Sequence, residues 1–328
     1  MNDSSININT RYTQESDFEQ GINSNIASFW HSREEGYLKS FDKTSLYWVK
    51  HSSPDHSKAI VIINGRIECC AKYQELFYDL FQLGYDIYSY DHRGQGWSES
   101  LVNNHIIGHI NEFDDYLKDL DCLLKEFDLS KYNKCYALGH SMGGNIITRY
   151  VQTHSHPFQS IALTAPMFGI NLPWYLKPIA SSLGQLLTAL HPKPTLAPGQ
   201  THYVSKAFEQ NRLSHSKIRY HWFRNLYEKH PEFQVGGVST RWIWQALVAC
   251  KQCYLMTRQV QVPLLVLQAS EDEIVDNQSQ VKFLKKLAKT SRVCAFKIIY
   301  GAKHELLFEQ DQFRNQTLDS LLTFFEQS

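Results

Sequence analysis

The sequence predicts an α/β domain with a mostly parallel central sheet flanked by helices, and an inserted helical cap in its second half. Three observations predict it. Short apolar runs alternate with helix-period segments along most of the chain, as strands joined by helical crossovers require. The central runs, such as "AIVIING" at 59–65, are apolar almost throughout, which suits strands buried on both faces. From about 167 to 258 the alternation stops, and prolines and aromatic, helix-period segments replace it over a stretch too long for a structureless loop.

Taken in order, residues 1–36 read as an N-terminal helical or irregular segment, and runs near 37–41 and 45–50 suit an antiparallel edge. After the strand at 59–65, "AKYQELFYDLFQLG" (71–84) sets Leu76, Leu80 and Leu83 at helical spacing before a glycine stop. Strands follow at 85–91, 134–141 and 158–166, interleaved with helices at 112–127 and 143–155. Beyond the interruption come a strand at 263–270, a helix at 279–289, a strand at 294–301 and a closing helix near 311–326. The layout expected is a first core part at 37–166, a cap at 167–258 with Pro173, Pro178, Pro192, Pro194 and Pro198, and a second core part at 259–328.

A chain of 328 residues, 43% hydrophobic, can bury a large core, and 33 basic against 33 acidic residues give no net charge to attract nucleic acid. Seven cysteines, an odd number without metal-type clustering, argue against a disulfide framework and against a metal site, and Cys69 and Cys70 read as packing residues. The first twenty residues lack the basic start and apolar stretch of a secretion signal, and no run of 18 apolar residues is present to span a bilayer. A cytoplasmic location is expected, with attachment to the inner face of the membrane at its surface only.

The chemistry centres on "YALGHSMGGNI". Gly139-His140-Ser141-Met142-Gly143 matches G-x-S-x-G between a predicted strand and a predicted helix, the setting in which a sharp turn exposes a serine hydroxyl. Glycines at 139 and 143 let strand and helix pack closely there, and a helix N-terminus favours developing negative charge. A serine hydroxyl is a weak nucleophile, so a histidine must take its proton and an acid must orient that histidine. In such sheets the chain order is serine, acid, histidine, each beyond the C-terminal end of a strand. "LLVLQASEDEIVD" offers Glu271, Asp272, Glu273 and Asp276; Asp272 lies nearest the strand end and is preferred, with Asp276 the alternative acid. "KIIYGAKHELLF" offers His304, the only one of 15 histidines after residue 230. His140 sits inside the turn and reads as a packing residue. The oxyanion needs two backbone donors, for which the amides of Met142 and, in the turn "NGRIE", Arg66 are the candidates. "DHRGQGWSES" (91–100) reads as a tight turn beyond a strand.

These segments carry a resemblance. "NGRIECCAKYQELFYDLFQLGYD", "DHRGQGWSE", "GHSMGGNI" with "IALTAPMFGI", "LLVLQASEDEIVDN" and "GAKHELLFE" resemble the monoglyceride-lipase-like branch of the α/β-hydrolase superfamily, and within it the bacterial lysophospholipases. The likeness extends more loosely to "VGGVSTRWIW" in the insertion. It implies Ser141, Asp272 and His304 as triad, the amides of Arg66 and Met142 as oxyanion donors, and no cofactor. Asn64 stands where many relatives carry histidine; since a backbone amide is the contribution expected there, this bears on substrate tuning more than on mechanism.

The insertion carries eleven Lys or Arg (177, 193, 206, 212, 217, 219, 224, 229, 241, 251, 258) against three Glu (209, 228, 232), a balance of +8, which leaves −8 on the remainder. A basic lid rich in aromatics, including Trp222, Trp242 and Trp244, suits contact with an anionic membrane surface. The expected activity is hydrolysis of the carboxylic ester of a single-chain lipid, a lysophospholipid first. The alternatives are a monoacylglycerol lipase or general carboxylesterase, a lysolipid acyltransferase, and a non-catalytic ligand-binding member of the fold.

Overall fold

The computed structural model describes residues 11–102, 107–171, 175, 179–190, 193–290 and 294–328. Lys177, Pro173, Pro178 and Pro192 of the insertion lie outside the described residues. Among the described residues, eight strands form one sheet in the order β1-β2-β4-β3-β5-β6-β7-β8. They are β1 (Glu34–Lys39), β2 (Ser45–His51), β3 (Lys58–Ile63), β4 (Tyr85–Tyr90), β5 (Lys134–His140), β6 (Ser160–Thr164), β7 (Leu264–Ala269) and β8 (Cys294–Ile299). β1 and β2 form the antiparallel edge and β3 to β8 run parallel. β1 starts at Glu34, ahead of the boundary expected at 37, because its pairing continues until Glu34 faces Lys50.

The helices are α1 (Phe18–Ile22), α2 (Asn25–His31), α3 (Gln74–Gln82), α4 (Asp114–Glu126), α5 (Met142–Thr153), α6 (Ala180–Leu190), α7 (Lys217–Lys229), α8 (Thr240–Leu255), α9 (Asn277–Leu287) and α10 (Asp311–Gln327). The helix expected from 71 opens as a tight 3₁₀ turn, Cys70–Tyr73, before α3. α9 starts two residues earlier than expected because the Asp276 side chain caps it, accepting from the Gln278 N–H at 3.1 Å.

Strand alternation splits the core in two. Ala59, Val61 and Ile63 of β3 enter a core with side chains of α4, α5, α8 and α9, while Ile60 and Ile62 enter the opposite one with α3, α7 and α10. The insertion contributes to both. Tyr220, Phe223 and Tyr227 of α7 join one core; Trp242, Ala246, Ala249, Cys250 and Cys253 of α8 join the other. α6 differs: it rests on Trp244 through Gly184 and leaves Leu183, Leu186 and Leu190 exposed.

β4 lies on one side of β3 and β5 on the other, so the chain reverses its direction of travel across the sheet between them. In doubly wound sheets such a reversal marks where ligands bind, beyond the C-terminal ends of the strands.

Candidate active site

β5 ends at His140 and α5 begins at Met142, so Ser141 alone makes the turn. Its backbone sits at φ 51°, ψ −113°, a conformation that costs a non-glycine residue energy and persists only when the surroundings hold it. They do. The Ser141 N–H donates to the Thr164 carbonyl at 3.0 Å, and the Ser141 carbonyl accepts from the Met167 N–H at 2.9 Å. A Cβ at position 143 would lie 2.1 Å from the Ile63 carbonyl oxygen, and one at position 139 would lie 2.8 Å from the Gly144 Cα. Only glycine at both lets α5 meet the ends of β3 and β5.

His304, on the loop after β8, reaches Ser141: His304 Nε2 is 3.0 Å from Ser141 Oγ. Its Nδ1 is 2.7 Å from Asp272 Oδ2, on the loop after β7. The other carboxylate oxygen, Oδ1, accepts from the Ile274 and Val275 N–H at 2.8 and 3.1 Å. Burial alone raises the Asp272 pKa, but His304 and these two N–H groups outweigh it and hold the carboxyl below its ordinary value. A carboxylate there requires the proton on His304 Nδ1, which leaves the Nε2 lone pair facing the serine hydroxyl. The other acids of that loop go elsewhere. Asp276 caps α9, Glu273 pairs with Arg212, and Glu271 lies 3.6 Å from His215. The His140 ring lies tilted, its centre 5.0 Å from that of His304, and bonds Thr164 Oγ1 at 3.0 Å; burial pushes its pKa down to about 4, so it stays neutral and packs.

The turn after β3 brings Arg66 beside this array. Among the described residues, neither the Arg66 nor the Met142 N–H donates to a backbone carbonyl. Sequence reasoning missed what holds the turn. Glu68 Oε2 accepts from the Gly65 N–H at 2.5 Å and from Tyr73 OH at 2.7 Å. Lys72 Nζ bridges Glu68 to Glu305, next to His304, with 2.7 Å on each side. Gln95 donates to the Gly65 and Glu68 carbonyls and accepts from Ile67, whose φ is 61°. The segment read as a tight turn is therefore also the brace of the turn that carries Arg66. A glutamate three residues after Gly65 was the available signal for the first of these contacts.

The aromatic and charged residues of the insertion divide differently from expectation. Trp242 is buried, its Nε1–H 3.3 Å from Tyr116 OH, and Trp222 packs edge-on against Phe18. Core packing uses the Trp242 indole wholly and the Trp222 indole in part. Arg219 is likewise buried, paired with Glu75 and Asp311. Lys193, Lys206, Lys217, Lys229, Lys251 and Arg258 are exposed. All seven cysteines are free. Among the described residues, no helix is long and apolar enough to cross a membrane, and no group of His, Cys, Asp or Glu is arranged to hold a metal ion.

The model of the family described as "Serine aminopeptidase, S33" matches residues 54–311. Lysophospholipase L2 of Escherichia coli K12 is 35% identical over 310 residues, which cover 92% of this chain and 89% of that protein. The probable lysophospholipase L2 of Haemophilus influenzae is 33% identical over 269 residues, covering 81% and 83%. Among solved structures, a soluble variant of the monoglyceride lipase of Saccharomyces cerevisiae, in complex with a substrate analogue, superposes with a TM-score of 0.70 over 90% of this chain and 94% of its own, at 18% identity. That last likeness speaks to the fold, which is the α/β-hydrolase fold.

Proposed function

Because the chain belongs to the S33 serine aminopeptidase family of α/β-hydrolases, we propose that it is a serine hydrolase that releases the fatty acid from a lysophospholipid. The carrying observation is the chain of contacts from Ser141 Oγ through His304 to Asp272, at 3.0 and 2.7 Å, in a protein 35% identical over 92% of its length to a lysophospholipase. Ser141 Oγ attacks the acyl carbonyl while His304 Nε2 takes its proton and Asp272 holds the imidazolium. The oxyanion that forms accepts from the Arg66 and Met142 N–H groups, the latter at the positive end of α5. His304 returns the proton to the glycerol oxygen as the C–O bond breaks. Water, deprotonated by the same His304, then attacks the acyl-enzyme and frees the acid and Ser141.

The triad alone would also serve an amide or a neutral glyceride, since each passes through the same oxyanion. The lipid reading rests on the two lysophospholipase relatives and on α6. Ile179, Leu183, Leu186 and Leu190 recur at helical spacing and are 53%, 40%, 56% and 64% exposed, an apolar stripe of the kind that rests in a lipid interface. Lys193 lies three residues beyond Leu190 in the chain, and Lys206 lies two residues from the exposed Val204. We infer contact with an anionic membrane surface through residues 167–258, acting as a cap over Ser141.

The test is fatty-acid release from lysophosphatidylethanolamine and from a monoacylglycerol of the same acyl chain, beside naphthylamine release from an aminoacyl-naphthylamide, by wild type and Ser141→Ala. Wild type should favour the lysophospholipid, and Ser141→Ala should lose at least about 10³-fold in kcat. Preference for the glyceride or the amide would reassign the substrate; undiminished release by Ser141→Ala would remove the nucleophile.

A further inference from the structure

We propose that the Arg66 side chain anchors the phosphodiester of the head group while the backbone amide of the same residue faces the acyl carbonyl. This inference rests on the lysophospholipid reading above and names the residue that would make the site prefer a phospholipid to a neutral glyceride.

Among the described residues four arginines are buried, and each reaches a carboxylate: Arg93 meets Asp42 and Asp119, Arg149 meets Asp114, Arg219 meets Glu75 and Asp311, and Arg314 meets Asp79. Arg66 is only partly exposed, yet among the described residues its guanidinium meets no carboxylate. Its one hydrogen bond is a long one, Nη1 to the Gly236 carbonyl at 3.4 Å. The guanidinium carbon lies 5.5 Å from the centre of the Trp242 ring. Burial pushes the pKa of the group down to about 10, with Tyr116 opposing. Desolvation has been incurred here without the anion that normally offsets it.

The position has a structural logic. Gly108 pairs with the chain entering α8, its N–H donating to the Gly237 carbonyl at 2.9 Å and its carbonyl accepting from the Ser239 N–H at 2.8 Å. A Cβ on Gly108 would stand 3.7 Å from Arg66 Nη1, so the guanidinium lies at the seam between core and insertion. Its backbone, in contrast, belongs to the turn beside Ser141. Spacing then selects the ligand. From the backbone nitrogen of an arginine to its guanidinium carbon there are as many bonds as from the acyl carbonyl carbon of an sn-1 lysophospholipid to its phosphorus. A residue whose amide meets the carbonyl oxygen therefore carries its planar, bidentate donor to the neighbourhood of the phosphate. A monoacylglycerol would place a hydroxyl there and leave the guanidinium unpaired.

The experiment compares wild type, Arg66→Met and Arg66→Lys on lysophosphatidylethanolamine and on the monoacylglycerol, with acyl chains short enough to stay monomeric. The kcat/KM ratio of the two substrates is the readout, so a disturbance of the shared oxyanion amide cancels. Arg66→Met should lower the ratio about 10- to 100-fold, and Arg66→Lys should lower it less, since charge survives without the fork. A second measurement needs no variant. Glycerophosphoethanolamine should inhibit monoacylglycerol hydrolysis by wild type at concentrations where glycerol does not, and should lose that potency in Arg66→Met. A wild-type preference that survives intact in Arg66→Met would overturn the role of Arg66 and leave the lysophospholipid reading standing. Absence of the preference in wild type would overturn both. Inhibition by inorganic phosphate as strong as by the diester would make the ligand a free anion and would also overturn the proposal.

Discussion

Asp272 and Asp276 lie on one short loop and do different work. Asp272 turns one carboxylate oxygen to His304 at 2.7 Å and the other to the Ile274 and Val275 N–H groups, so that the backbone holds the carboxylate in place against the imidazole. Asp276 accepts from Gln278 N–H and from Ser279 Oγ–H at the start of α9. Nearness to the strand end was enough to prefer Asp272 from sequence, because a loop residue close to the sheet edge is the one that stays over it. Sequence held no comparable signal for Gln95, whose three contacts to the turn after β3 come from a loop distant in the chain. The two aspartates separate experimentally. Asp272→Asn should keep the fold and lower kcat by about 10⁴-fold, since the amide no longer favours the productive imidazole tautomer. Asp276→Ala should instead cost about 1 kcal/mol of stability, the value of a helix cap, with kcat within about threefold of wild type. Paired kinetics and denaturant melts check both; a large kcat loss in Asp276→Ala alone would move the acid role to that residue.

At the scale of elements, the strands and helices of the core were legible because their periods are strong: β3 and β7 are apolar on both faces, and α3 and α4 are amphipathic. The insertion was legible as helical but not in its packing. Trp222 and Trp242 look alike in sequence to interface tryptophans, and only the crossing of α8 over α5 and the meeting of α1 with α7 show them used as core. The turn from β3 into α3 hides a further tie. Lys72 of the 3₁₀ turn lies between Glu68 and Glu305, with side chains 2%, 4% and 5% exposed, and so fastens the turn after β3 to the His304 loop. Burial alone raises the Glu68 pKa, but Lys72 and its other neighbours outweigh it and bring the carboxyl down to about 2. Lys72→Met would leave two buried carboxylates without their cation, a loss of about 3–5 kcal/mol. The double variant Lys72→Met, Glu305→Gln should recover part of it. Urea unfolding of the three proteins reads this directly, and a Lys72→Met midpoint equal to that of wild type would mean the carboxylates simply take up protons at no cost.

For the molecule as a whole, zero net charge conceals a division into an insertion of +8 and a remainder of −8. The structure refines what that division can do. Arg219 spends its charge inside the core and Arg212 pairs with Glu273, while Lys193, Lys206, Lys217, Lys229, Lys251 and Arg258 keep theirs at the surface. Attraction by such cations, about 1 kcal/mol each near an anionic leaflet, weakens as salt shortens the range of the field. In the proposed membrane contact the leucine stripe of α6 adds a component that salt does not weaken, because burying apolar side chains in lipid removes them from water. The two contributions make separable predictions for sedimentation with phosphatidylglycerol vesicles. Raising salt from about 0.05 to about 0.5 M should weaken binding without abolishing it, whereas Leu186→Asp with Leu190→Asp should weaken it at least about tenfold at either salt. Hydrolysis of a monomeric short-chain ester should stay within about twofold of wild type in that variant, since α6 meets the body of the protein through Gly184 and Thr188 rather than through the leucines. Binding that ignores the leucine changes and vanishes at high salt would assign the contact to charge alone and leave the exposed face of α6 without a lipid role.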